Sequence, residues 1–246
     1  MKKLSLLSAT IGLLFIHNTA LATTAGDFGI ALKFSQDNYG TSSSEKTTST
    51  VYDADGERLP DLDEVSKSGK NKIKNKGGLE ISGNYFVVDN IAVAASLALP
   101  KKTNISSKGI DDNNKWEKIG SVKNTQFGLT GQYHFTQIPQ ITPYVGAGIN
   151  FMKFSNLKFN DKDLSGKTSN STALLLQVGA NYSLTDNLLL NVELKKAFNE
   201  FKLNVNDSEK YFDDDTDPDS DYTLYSYKDK VKIQPLTISL GVGYKF

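Results

Sequence analysis

The sequence predicts an all-β protein, an eight-stranded antiparallel transmembrane β-barrel with short periplasmic turns and long extracellular loops. Three observations predict it. Segments that alternate apolar and polar side chains recur along the chain, the connections between them alternate short and long, and the chain closes on such a segment, LTISLGVGYKF, Leu236 to Phe246. Successive side chains of a strand point to opposite faces, so each segment has one greasy and one polar face.

Met1 to Ala22 places Lys2 and Lys3 before a mostly apolar stretch that ends in Ala20-Leu21-Ala22, and it reads as a secretory signal peptide. The apolar stretch is shorter than the roughly 20 residues a membrane-spanning helix needs. Residues 23–246 are then a single barrel domain. Loss of Lys2 and Lys3 with the signal takes the formal charge from 0 to −2, which offers nothing to nucleic acid. The chain has no cysteine, so packing or a closed hydrogen-bonded ladder must hold the exported fold. Composition alone suits a soluble β-protein and a membrane barrel equally.

The strands, in order, separate the two. Phe28, Ile30, Leu32 and Phe34 oppose Asp27, Gly29, Ala31 and Lys33; Leu79, Ile81 and Tyr85 oppose Glu80, Ser82 and Asn84; Ile91, Val93, Ala95, Leu97 and Leu99 oppose small residues. Phe127, Leu129, Tyr133 and Phe135 oppose Gln126, Gly128, Thr130, Gln132 and His134. Ile141 to Met152, Thr172 to Leu184 and Leu188 to Phe198 repeat the pattern, and Leu236 to Phe246 completes it. An even number of alternating segments of about ten residues is what tilted membrane strands require.

The connections Phe86 to Asn90, Thr136 to Gln140 and Thr185 to Asn187 are short, whereas Ser35 to Lys76, Lys101 to Asn124, Lys153 to Ser171 and Glu200 to Gln234 are long. Outer-membrane barrels have this asymmetry, with both termini on the periplasmic, short-turn side. Tyr85, Tyr133, Phe135, Tyr182, Tyr244 and Phe246 lie at the short-turn ends with the parity of the apolar face, and form a predicted interfacial girdle. The last strand must pair with the first, because lipid tolerates no open sheet edge. Tyr244 and the terminal Phe246 also have the look of the signal by which the barrel-assembly machinery recognises its clients.

ITPYVGAGINF (Ile141 to Phe151), VGANYSLTDN (Val178 to Asn187) and the ending VKIQPLTISLGVGYKF resemble the corresponding strands of the OmpW family of small outer-membrane proteins. AGDF (Ala25 to Phe28) and ALPKK (Ala98 to Lys102) are compatible with it. Gln234 stands before Pro235 where the family usually has Asp, and the first long loop is unusually extended. The resemblance implies an eight-stranded barrel that lets small hydrophobic compounds cross the outer membrane.

No catalytic group is expected. Barrel enzymes cluster His, Asp or Ser at the outer mouth, whereas the one histidine beyond the signal, His134, falls beside a short turn and points inward by parity. DDDTDPDSD (Asp213 to Asp221) and DADGE (Asp53 to Glu57) are acidic, but lack the full spacing of a calcium loop, and neither is assigned a metal. No cofactor is implied. Lys33, Glu80, Glu193, Lys195 and Lys245 are inward by parity, and in a barrel this narrow they should pair across the lumen and keep ion conduction small.

Toward the external side the inward set turns small or apolar, with Ala94, Ala98, Met152 and Leu175, which suits either a pocket for a hydrophobic molecule or simple core packing. Pro100 has no N–H to give a neighbouring strand. It either opens the wall locally, for sideways release of a solute into the membrane, or merely ends the third strand. Expected partners are outer-membrane lipid, lipopolysaccharide and small hydrophobic solutes. The competing reading is a non-transporting anchor whose polar loops serve adhesion or surface masking. The sequence leaves the oligomeric state open.

Overall fold

The computed structural model describes residues 23–39, 41–53, 55–62, 64–108, 115–138, 140–160, 164–207, 211–212 and 222–246. Residues 1–22, expected to be a signal peptide, and the run Asp213 to Asp221 lie outside the described residues. The strands are β1 (Phe28–Asn38), β2 (Thr41–Tyr52), β3 (Glu64–Ile73), β4 (Lys76–Val88), β5 (Ile91–Lys108), β6 (Glu117–His134), β7 (Ile141–Phe159), β8 (Leu164–Thr168), β9 (Ser171–Ser183), β10 (Leu188–Ala197), β11 (Asn199–Asp207), β12 (Tyr211–Phe212), β13 (Tyr222–Ile233) and β14 (Leu236–Lys245).

Eight of them close a ring of antiparallel ladders in the order β1, β4, β5, β6, β7, β9, β10, β14 and back to β1. The closing ladder runs from Gly29↔Lys245 to Asn38↔Leu236, so first and last strands pair along nearly their whole length. Closure leaves the first and last strands no bare edge toward lipid. The outward face is the apolar parity of each strand: Leu32, Ile81, Val178, Val192 and Leu240 are all exposed, while Ser35, Glu80, Thr130, Gln177 and Ser239 are buried inside. A soluble protein would bury the first set.

At the short-turn end Asn90 and Gln140 take up left-handed backbone (φ 65° and 63°) to reverse the chain. The aromatic girdle is there: Tyr133 meets Phe135 edge-on at 4.9 Å, Tyr244 meets Phe246 likewise, and Phe246 stacks on Phe28 at 5.7 Å. Phe246 N–H donates to Phe28 O (2.9 Å), carrying the last seam one step beyond β14.

The long connections differ from the expected loops. β5, β6 and β7 run on well past the apolar belt, and β2, β3, β8, β11, β12 and β13 continue the same sheet above the ring. Above the belt both strand faces can be polar, so runs such as TSSSEKTTSTVY pair as strands without any hydrophobic alternation to announce them. The DADGE segment turns tightly at the end of β2. Asp53 accepts the Glu57 N–H on its carboxylate (2.7 Å), and Gly56 has φ 84°.

Candidate functional site

The interior is polar and paired across its width. Lys33 Nζ lies 3.1 Å from Glu193 Oε1 and 4.0 Å from Glu80 Oε1, while Lys195 Nζ lies 2.5 Å from Glu80 Oε1 and 3.3 Å from Glu193 Oε1. Tyr144 donates its hydroxyl to Glu193 Oε2 (2.7 Å), and Asn191 donates to the same hydroxyl (3.1 Å). Two cations and two anions from β1, β4 and β10 thus form one charge-balanced cross-brace. Buried charges are tolerable only when paired and hydrogen-bonded in this way. Lys245, at the mouth, pairs instead with Asp27 (2.8 Å).

The brace divides the lumen. On the short-turn side is a cavity of about 80 Å³, open at its mouth, whose lining includes Ala94, Gln132, His134, Tyr144, Asn191 and Lys245. His134 is buried there, stacked on Tyr144 (5.0 Å), edge-on to Phe86 (4.8 Å), with Nε2 3.0 Å from Gln132 Oε1. On the long-loop side is a smaller cavity of about 10 Å³, lined by Ala98, Leu175, Gly128 and Ala197 together with Glu80, Lys195 and Asp37. Higher still, Met152 packs with Ile73, Ile105, Val122 and Phe154 in an apolar cluster.

The five residues expected to line one pocket are therefore distributed. Ala94 lies below the brace, Ala98 and Leu175 line the cavity above it, Met152 is in the apolar cluster, and Pro100 is exposed. Pro100 does not end its strand, which continues to Lys108. It sits in a bulge: Ala98 pairs with Gln126 but Lys101 with Asn124, so Leu99 and Pro100 together oppose Thr125. On the other side of β5, the ladder with β4 stops at Glu80↔Ala98 and the ladder with β3 begins at Ile73↔Ile105. The wall has an interrupted seam beside Pro100, next to the upper cavity.

Two charged residues of the lumen escape sequence reasoning. Lys101 continues the parity of Leu97 and Leu99, which is outward, but the bulge reverses it. The buried ammonium reaches Asp37 Oδ2 (2.9 Å) and Ser35 Oγ (3.0 Å). The Lys101 stem lies over Gly78, where a Cβ would come within 3 Å of it. Asp37 also accepts from Tyr39, Gln126 and Thr237. Its parity was readable, but it falls where a loop was expected. Among the described residues no group of three or more His, Cys, Asp or Glu could hold a metal ion.

A closed ring with a lipid-compatible exterior, an aromatic girdle and a charge-braced interior defines an outer-membrane β-barrel. The OmpW family profile matches residues 44–246, and the chain belongs to that family. It is 31% identical to outer-membrane protein y4mB of Sinorhizobium fredii, over 68% of this chain and 65% of that protein, just under two thirds of the relative's length. It is 28% identical to outer membrane protein W of Escherichia coli, over 71% of this chain and 75% of the relative. The crystal structure of the outer membrane protein OprG from Pseudomonas aeruginosa superposes with a TM-score of 0.65 at 20% identity, covering 93% of this chain and 99% of that one.

Proposed function

We propose that this barrel takes small hydrophobic molecules from the long-loop mouth and releases them sideways through the wall beside Pro100. The short-turn end and both termini face the periplasm in this reading, and the long-loop end faces outward. The observation that carries it is the interrupted seam: between Glu80↔Ala98 and Ile73↔Ile105 β5 keeps no ladder with β4 or β3, and Lys74 N–H donates to Asn104 O (3.0 Å) only at the upper end of that gap. Two features agree with it. The apolar cluster around Met152 and the cavity edged by Ala98 and Leu175 lie on the long-loop side, and the ionic brace bars the way to the cavity below. An apolar solute would meet charge if it continued along the axis, and hydrocarbon if it left at Pro100. Desolvating the paired ions is the costlier route.

The test is Pro100→Ala, which restores a backbone donor and lets the β4–β5 ladder extend. Uptake of a small alkane or aromatic by cells should fall several-fold while the level of folded, heat-modifiable barrel stays the same. Unchanged uptake at matched expression would count against sideways release. It would favour an anchor whose tall strand extensions do the work at the surface.

A further inference from the structure

We infer that Lys102, Lys123 and Lys153 form a site on the outer wall of the barrel for the phosphates of a multiply phosphorylated, acylated glycolipid. β5, β6 and β7 are adjacent strands carrying Lys101, Lys102, Lys108, Lys118, Lys123, Lys153 and Lys158 against a single carboxylate, Glu117. Lys101 is used inside, on Asp37. The bulge that turns Lys101 inward is also what turns Lys102 outward, where it is exposed like Lys123 and Lys153.

Register brings these three together. Lys102 is directly opposite Lys123, and Lys153 is opposite Thr125, one step diagonal to Lys123. With strands ~4.8 Å apart, the three backbone positions that carry these lysines span about 10 Å across the strands. Like charges directly opposite on a ladder repel, and no described acidic residue is near enough to relieve them. Glu117 is six positions along β6, roughly 20 Å away at ~3.4 Å per residue. The arrangement calls for an anion from outside the chain.

Position identifies the anion. Just below the row, the outward rings of Phe127 and Phe151 meet at 6.0 Å, flanked by exposed Leu97 and Leu99. The lysines therefore stand where the apolar belt ends and lipid headgroups begin. The feature is one-sided. On β10 the corresponding Lys196 is already engaged, donating to Gln234 O (2.7 Å) over the Phe198 ring, and β1 and β9 offer neutral Gln36 and Thr172. Ammonium groups bind phosphate as point charges and form charge-assisted hydrogen bonds to it. A row this wide fits a headgroup with more than one phosphate, with the acyl chains lying against Phe127 and Phe151. Given the orientation proposed above, on which this assignment rests, the lipid is of the lipid A type found in an outer leaflet.

The test uses the protein extracted from outer membranes and placed in phosphatidylcholine nanodiscs doped with lipid A. Native mass spectrometry then counts the lipid retained per barrel. The wild type should retain lipid A at least tenfold better than its dephosphorylated form, and K102Q/K123Q/K153Q should lose that advantage. Lys118→Gln, higher on β6, should retain it. Equal retention by the triple variant, equal retention of the dephosphorylated lipid, or stoichiometric displacement by phosphatidylglycerol would each overturn the assignment. Orientation is read separately, by labelling Asp55→Cys on intact cells with an impermeant maleimide. Absence of label alongside intact lipid A retention would refute the orientation and leave the phosphate site standing.

Discussion

Glu193 is the residue on which the lumen turns. Its two carboxylate oxygens serve Lys33, Lys195 and the Tyr144 hydroxyl at once. Glu193→Gln keeps the shape and removes one charge, leaving two buried ammonium groups to share Glu80. Breaking one partner of a buried ionic group costs about 3–5 kcal/mol, so the urea midpoint for unfolding from lipid should drop accordingly. Glu193→Gln with Lys33→Met rebalances the charge and should recover much of the loss; an unshifted midpoint in the single variant would mean the brace carries no stability. At this scale the sequence was readable where alternation held unbroken. Lys33, Glu80, Glu193 and Lys195 follow from counting by twos, but no count reveals which of them meet, because partners such as Lys33 and Glu193 are 160 residues apart. Lys101 was unreadable for another reason, a bulge that changes parity without any change in the polar pattern.

Among the elements, β14 shows how far a face determines a residue's tolerance. Leu240 is 60% exposed on the lipid side, between Phe34 and Val192 in register, while Ser239 is 1% exposed in the lumen, opposite Ser35 and Glu193. Arginine at a mid-membrane outward position costs roughly 2–4 kcal/mol, so Leu240→Arg should lower folding free energy in bilayers by that order or block assembly. Ser239→Arg should leave the lipid face intact and instead perturb the brace, through a fifth charge beside Glu193. Equal responses to the two changes in the same folding titration would refute the assignment of faces. The same contrast explains why the barrel was legible and the extensions were not. Between the girdle and the upper phenylalanines, one face meets lipid and the other the lumen, which imposes a period of two. Above that level a strand needs no apolar face toward lipid, so the ladder of TSSSEKTTSTVY with EVSKSGKNKI, Glu45↔Ser68 to Ser49↔Glu64, leaves no such trace, whereas β11 keeps one in Phe201, Leu203 and Val205.

For the molecule as a whole, the question is whether anything travels along the axis, and the brace allows a decisive variant. Glu80→Ala with Lys195→Ala removes one anion and one cation from the brace. Lys33 and Glu193 remain paired at 3.1 Å, so no buried charge is stranded and folding should survive. Glu80 and Lys195 edge the upper cavity, and Lys33 and Glu193 edge the lower one, so the two truncations remove matter from the partition itself. Eight strands leave a lumen about filled by side chains, so shortening two of them should connect the cavities above and below the brace. Conductance in planar bilayers should then rise several-fold over a low wild-type value. If the proposed sideways route at Pro100 holds, uptake of a hydrophobic solute should not rise with it, because that route lies above the partition and does not use the axis. If uptake and conductance increase together, solutes pass through the brace, and the seam beside Pro100 is a structural irregularity without a part in transport. If conductance alone increases, water and ions have gained a path that apolar molecules never needed.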